Sequence, residues 1–508
     1  MLWNKRLSER SPGISRSVTD PVAVPTGAAP IALKRAARPR VAVFITHGMG
    51  QQVPFETLDA AAEGLAQAAA RQGQPVSAIR AATVEIAGLK TQRAEFEMKN
   101  RHGQDVEVHV YEGYWAPFTE GQVTLRDVMS FLLRAGLNGL RNCYQPFERW
   151  IFGSIVDFGR RLQATIPLLA ALGVVTSLIV LNLLIAVNSG DRLFNKIRAS
   201  GSPTFTDDTF YAFTTVAGIF VIACLVVGGL LAILSVAKPP RRQRRRGLWK
   251  LVTFVTQLLV YGWVALTIAC AAVLLCIVAG WVAPQPFVHG TFRHYWALIW
   301  SGLLLASWVV RGLIIQYAGD VAAYVCSHTL DRFNDIRARI KSTVFQFAKA
   351  VYMTPDYEHV ALLGHSLGSV VMYDTLNALI NDDRLNGTPL KVVERTTLLL
   401  TFGSPLDKTA FIFASQWANT TSTREALAAS LQPLIVKYVP YRDIKWINVY
   451  APRDIVSGRL EFYDDVRSPD SRGRTVRNVP DPDATIPLVA HVEYWRNATL
   501  FDELYANL

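Results

Sequence analysis

The chain has 508 residues, a net charge of +12 and 51% hydrophobic residues, with a mean hydropathy of +0.21. That apolar share is too high for an ordinary soluble protein, and it is gathered into a few uncharged blocks, the distribution of a membrane protein with room for two or three domains. The cysteines Cys143, Cys224, Cys270, Cys276 and Cys326 form no C-x-x-C pair and read as small buried hydrophobes, so neither a disulfide framework nor a zinc site is expected.

Residues 1–40 are rich in Arg, Lys, Ser and Pro without a sustained period, which reads as a disordered basic arm. Pro25 and Pro30 break its apolar part, making it a poor signal peptide. Val41 to Ile45 is a continuous apolar run, as expected of a buried parallel strand. His47-Gly48-Met49-Gly50 follows as a turn, and Pro54 opens a helix to about Gln72, stopped by Gly73. Arg93 to Lys99 and Asp105 to Tyr111 flank Asn100-Arg101-His102-Gly103, a hairpin signal. Residues 41–122 thus form the first part of a soluble domain. Residues 123–163 read as an amphipathic helical segment, with Leu125, Met129, Leu132 and Leu133 opposed by Arg126, Arg134 and Arg141, suited to the lipid headgroup layer or, as the alternative, to packing on the soluble domain.

A membrane block is expected over 164–318, with spans near 165–187, 211–236, 254–282 and 295–315. Arg311 lies in the fourth, where it must snorkel from near one end, and Trp296, Trp300 and Tyr317 resemble interface anchors. The basic run from Lys238 to Arg246 could be read as a nucleic-acid patch. Its place in a short loop between two spans makes it a positive-inside signal instead, and no nucleic-acid partner is expected. The loop, both flanks of the block and both termini are then cytoplasmic, as in a multi-pass protein of a bacterial inner membrane.

The chain turns soluble again over 319–508. A long helix is expected over 321–351, then a strand over 358–363 that runs into Gly364-His365-Ser366-Leu367-Gly368 and a further helix. Strand, tight turn and helix would expose the Ser366 hydroxyl beside free helix N–H groups, with Gly364 and Gly368 avoiding collisions across the turn. These residues resemble the nucleophile turn of the α/β-hydrolase superfamily, on its lipase and thioesterase side. His47-Gly48-Met49-Gly50 resembles its oxyanion turn. The resemblance covers about 270 residues. It implies an α/β fold, a mostly parallel sheet flanked by helices, here interrupted by a four-helix transmembrane insertion. It implies an oxyanion hole formed by the N–H groups of Met49 and Leu367, supported by His47, Gly48, Gly50, Gly364 and Gly368. Because the turn at His47 precedes the membrane block and Ser366 follows it, one sheet can form only with an even number of crossings, which four spans satisfy.

The resemblance also implies an acid and then a histidine after later strands. Asp454 follows the strand Trp446 to Tyr450 and falls where the acid belongs. Asp464, Asp465, Asp481 and Asp483 are rivals, read as solvated turn residues, and Asp443 lies at the wrong end of the strand. His491 is the one histidine after Ser366 among nine in the chain. Ser404, in Phe402-Gly403-Ser404-Pro405, is read as structural. The expected activity is hydrolysis of carboxylic esters, lipid acyl esters above all, through Ser366, His491 and Asp454, a chemistry that needs no metal or organic cofactor. A thioesterase acting on acylated proteins or acyl-CoA is the alternative within this class. From a different class, the spans could form a transporter or assembly platform carrying a vestigial hydrolase domain.

Overall fold

The computed structural model describes residues 38–50, 52–142, 149–151, 154–156, 161–198, 206–237, 247–288, 290–325, 331–385, 387, 390–415, 444–460, 463, 476–487 and 489–508. The basic arm over 1–37, the run 238–246 and the rival acids Asp443, Asp464 and Asp465 lie outside the described residues.

Strand β1 (Arg40–Thr46) is the centre of an eight-stranded sheet. On one side it pairs in parallel with β4 (Asp105–Glu112), followed by antiparallel β3 (Leu89–Lys99) and β2 (Arg80–Ile86). The small hairpin β5 (Arg149–Ile151) and β6 (Ser154–Val156) stands apart from this sheet. On its other side β1 pairs in parallel with β7 (Tyr357–His365), then come β8 (Thr396–Phe402), β9 (Lys445–Tyr450) and β10 (Val476–Pro480), all parallel. The chain therefore has an α/β architecture with a mixed sheet. β1 and β7, which precede and follow the apolar block, lie side by side in it.

The apolar runs form strands because both faces of the sheet are covered. Val41, Val43 and Ile45 of β1 face one core, with helix α1 (Glu56–Arg71) and the C-terminal helix Ala498–Tyr505. Ala42 and Phe44 face the other core, together with Leu362 of β7 and Leu399 of β8. Successive residues alternate between two dry interiors, so no polar residue is tolerated in the middle of the strand. Phe55, just before α1, is left-handed at φ 68°, and Gly73, just past its end, takes φ 73°, as expected of a helix stop.

Helix α2 (Leu125–Asn142) covers only part of the segment expected to be helical throughout. The β5–β6 hairpin breaks it, because Trp150, Ile151, Ile155 and Val156 are aromatic or β-branched and favour an extended chain. Helices α3 (Arg161–Arg198), α4 (Asp207–Val236), α5 (Gly247–Val278) and α6 (Trp296–Val325) follow, each containing a stretch long and apolar enough to cross a membrane. They overrun the expected spans. α5 begins seven residues before 254, and α6 carries Asp320 to Val325 as its last turns rather than as the start of a separate soluble helix. Their hydroxyls bond back along their own helices, Thr214 to the Phe210 carbonyl and Thr256 to the Val252 carbonyl, which suits an environment without water. Leu225, Leu258, Leu298 and Trp308 are more than 60% exposed, a surface that water disfavours and hydrocarbon does not.

The block is not hung on a linker. Leu168, Ala171 and Leu172 at the start of α3 pack against the core beneath the sheet, as do Ile314, Ala318 and Val321 at the end of α6. Helix α7 (Asp331–Met353) and helix α8 (Leu367–Leu385) complete that core, and Pro39–Leu508 form one compact unit.

Candidate active site

β7 ends at His365, and α8 begins at Leu367, so Ser366 alone makes the turn. Its φ of 52° is a left-handed conformation that a side chain adopts only under strain. The two glycines are required by space. A Cβ on Gly364 would lie 2.5 Å from the Ser369 Cα, and one on Gly368 would lie 2.2 Å from the His47 carbonyl oxygen. Gly48 is as constrained from the other side, since its Cβ would meet the Ser366 Cβ at 2.8 Å. The two glycine-rich turns, more than 300 residues apart in the chain, thus press directly on one another, and the Thr46 hydroxyl donates across them to the Gly368 carbonyl at 2.7 Å.

Ser366, His491 and Asp454 form one hydrogen-bonded chain. The His491 Nδ1 lies 2.9 Å from Asp454 Oδ2, and its Nε2 lies 2.8 Å from the Ser366 Oγ. With Nδ1–H donating to the carboxylate, Nε2 is left to accept the serine proton. All three side chains are buried. Burial alone would push the Asp454 carboxyl up. His491, the Val456 N–H and the Lys408 ammonium outweigh it and hold the carboxyl well below the usual range, so it stays ionised.

His47 orders the turn over His47–Gly50. Its Nε2 accepts the N–H groups of Trp115 and Ala116, and its Nδ1–H donates to the Gly48 carbonyl. Burial pushes its pKa down to about 4, which keeps the ring neutral in this role. Because the Gly48–Met49 peptide is planar and trans, holding its carbonyl toward His47 turns the Met49 N–H the opposite way. Gly50 has φ 93°, and Met49 and Leu367 are buried beside the serine turn. His365 stacks on His491 with ring centroids 5.3 Å apart, and burial and then His491 push it down to about 3.

Three further groups support the site, and none carries a local sequence signal. The Tyr494 hydroxyl donates to Asp454 Oδ2 at 3.0 Å while accepting the Ala451 N–H. Lys408, on helix α9 (Leu406–Ser415), donates to the carbonyls of Ile455, Val456 and Ser457 at 2.5, 3.0 and 3.1 Å, and so clamps the loop that bears Asp454. Burial pushes its ammonium down to about 8. Asp320 of α6 accepts the Gly50 N–H at 2.6 Å. Tyr494 stood one helical turn beyond a candidate histidine and Lys408 just past F-G-S-P, but only the folded chain brings them to the acid.

Ser404 is adjacent to the site without entering the proton chain. Its Oγ lies 2.7 Å from the Ser369 Oγ and accepts the Leu406 N–H. Asp481 and Asp483 differ from the expectation of solvated turn residues. Both are buried, because Asp481 caps its own turn through the Asp483 N–H and accepts from the Asn497 side chain. On β3 and β4, Glu95, Glu107 and His109 cluster closely enough to hold a cation, but Arg93 and Arg40 already answer the two carboxylates.

No family model matches the chain, and neither the curated proteins nor the solved structures contain a significant match to it.

Proposed function

We propose that this protein is a membrane-embedded serine hydrolase of the α/β-hydrolase type that cleaves carboxylic esters, lipid acyl esters above all. The observation that carries the reading is the chain from the Ser366 hydroxyl through His491 to Asp454, with the serine held at φ 52°. A serine hydroxyl is a weak nucleophile until a base removes its proton, and His491 Nε2 is within reach to do so. Asp454 fixes the tautomer and stabilises the imidazolium. Attack of the Ser366 Oγ on an acyl carbonyl gives a tetrahedral oxyanion. The Met49 and Leu367 N–H groups stabilise it, each contributing about 3 kcal/mol. His491 then protonates the leaving alcohol, and water releases the acyl group from Ser366 by the same steps in reverse.

The substrate class rests on exposed apolar residues that neighbour the site residues in the chain. Val53 and Phe55 beside the oxyanion turn, Ile455 beside Asp454 and Val492 beside His491 are apolar and 39–51% exposed, as an acyl chain requires. The bilayer supplies such chains. In the proposed topology α3 to α6 cross the membrane four times, with the sheet, the basic run 238–246 and both termini in the cytoplasm. The packing of the block into the sheet's core favours this reading over a transport block carrying a vestigial hydrolase domain.

The test is steady-state kinetics of the purified full-length protein on a short p-nitrophenyl ester and its thioester counterpart. Ser366→Ala and His491→Ala should each lower kcat by about 10⁶-fold, and Asp454→Ala by about 10⁴-fold. A higher kcat/KM for the thioester would move the assignment to the thioesterase alternative. Wild-type turnover by Ser366→Ala would end the hydrolase reading.

A further inference from the structure

The four-helix block is expected to anchor the protein, yet one of its side chains reaches the proposed oxyanion turn. Asp320 sits in the last turns of α6 and is buried, and its Oδ2 accepts the Gly50 N–H at 2.6 Å. That N–H belongs to the Met49–Gly50 peptide, whose carbonyl accepts from the Gln52 side-chain amide at 3.1 Å. The preceding Gly48–Met49 peptide is held through its carbonyl by His47. Both peptide planes that flank the Met49 Cα are therefore fixed, one by the neutral His47 just past β1 and the other by Asp320 of α6 together with Gln52. Gly50 at φ 93° has no side chain to limit its rotation, so without these partners the second plane would be free to turn. A second contact ties the block to the same site. The Trp249 indole N–H of α5 donates to the Thr485 hydroxyl at 3.2 Å, in the loop that leads to His491.

We propose that Asp320 is a positioning residue for the oxyanion hole, so that α6 is a working part of the site and not only an anchor. Asp320 does not touch the reacting atoms; it acts by fixing the plane next to the Met49 N–H. This inference rests on the serine-hydrolase reading above.

The experiment uses full-length protein in lipid nanodiscs with a fluorophosphonate and a short p-nitrophenyl ester. The end-point of labelling counts competent sites, and kcat is expressed per labelled site. For Asp320→Ala the end-point should match wild type, KM should stay within about twofold, and kcat per site should fall about 100-fold, the scale of losing one oxyanion donor. Asp320→Asn, which keeps an acceptor oxygen without the charge, should restore most of this and lie within about 10-fold of wild type. A merely structural role would instead lower the end-point and leave kcat per site unchanged, and that result would overturn the proposal. If Asp320→Ala does not fold, wild-type kcat per site in both Asp320→Asn and Asp320→Leu overturns it equally. Absence of labelling in wild type would sink the hydrolase reading itself, whereas a labelled wild type with unchanged Asp320 variants sinks only this inference.

Discussion

At the scale of single residues, the site is held by groups whose charge state is set by burial and by the partners that oppose it. His47 and His365 are kept neutral, Asp454 is kept ionised, and Glu112 behaves in the opposite sense. Burial pushes the Glu112 carboxyl up to about 7, against the pull of the Phe55 N–H, Thr57 and Leu58 at the start of α1. A carboxyl with a raised native pKa contributes stability that is complete below its ordinary value and lost as pH rises through about 7. The shift is worth about 3 kcal/mol. Glu112→Gln removes this dependence. Its melting temperature relative to wild type should therefore be more favourable at pH 8 than at pH 5, and a difference independent of pH would contradict the assignment. The hydrogen-bonded chain of Ser366, His491 and Asp454 and both turns were legible in the sequence because their signals are local: glycine where a Cβ cannot fit, serine between strand and helix, an aspartate after a strand, and one histidine in the right half. Asp320, Tyr494 and Lys408 were not legible, since a carboxylate, a phenol or an ammonium gains its role only from what it meets across the fold.

At the scale of elements, the buried strands were readable and the edges were not. β1, β7, β8 and β9 are mostly apolar and buried on both faces, so they stand out from the sequence. β2 and β10 are edge strands with exposed positions, and β10 reads Val-Arg-Asn-Val-Pro, too polar and too short to signal a strand. Helix α2 both packs on the protein and carries the basic amphipathic face expected of it. Val128, Phe131, Leu132 and Ala135 are buried against the protein, while Leu133, Leu137 and Leu140 are 41–48% exposed beside the outward Arg126, Arg134 and Arg141. The first set recurs at the spacing of one helix face and the second at that of another, so the helix packs and still offers an apolar, basic surface. If that surface meets anionic lipid, each basic residue contributes about 1 kcal/mol. Reversing Arg126, Arg134 and Arg141 to Glu should then lower hydrolysis of a lipid ester in anionic vesicles at least 10-fold more than hydrolysis of a short soluble ester. Equal losses on both substrates would confine α2 to a packing role.

At the scale of the whole molecule, the apolar block has a core of its own but packs the start of α3 and the end of α6 against the core beneath the sheet, so the depth of the site relative to the block is fixed. The sequence required an even number of crossings for β1 and Ser366 to meet, and β1 pairs with β7 over the whole strand. What the sequence could not reveal was that the start of α3 and the end of α6 pack against the core beneath the sheet, because an apolar helix reads alike whether protein or lipid covers it. For topology, cysteines introduced at Ser200 and Val288 in a background without native cysteines should react with an impermeant thiol reagent added outside intact cells. A cysteine at Gln243 should not; its labelling from outside would invert the orientation. The central claim is that Ser366 is a nucleophile activated by His491, and mass spectrometry of the full-length protein after fluorophosphonate treatment tests it most directly. The account predicts one phosphonyl adduct on the peptide containing Ser366, lost in Ser366→Ala and slowed by several orders of magnitude in His491→Ala. An adduct on another serine, or one on Ser366 that forms equally fast without His491, would contradict it.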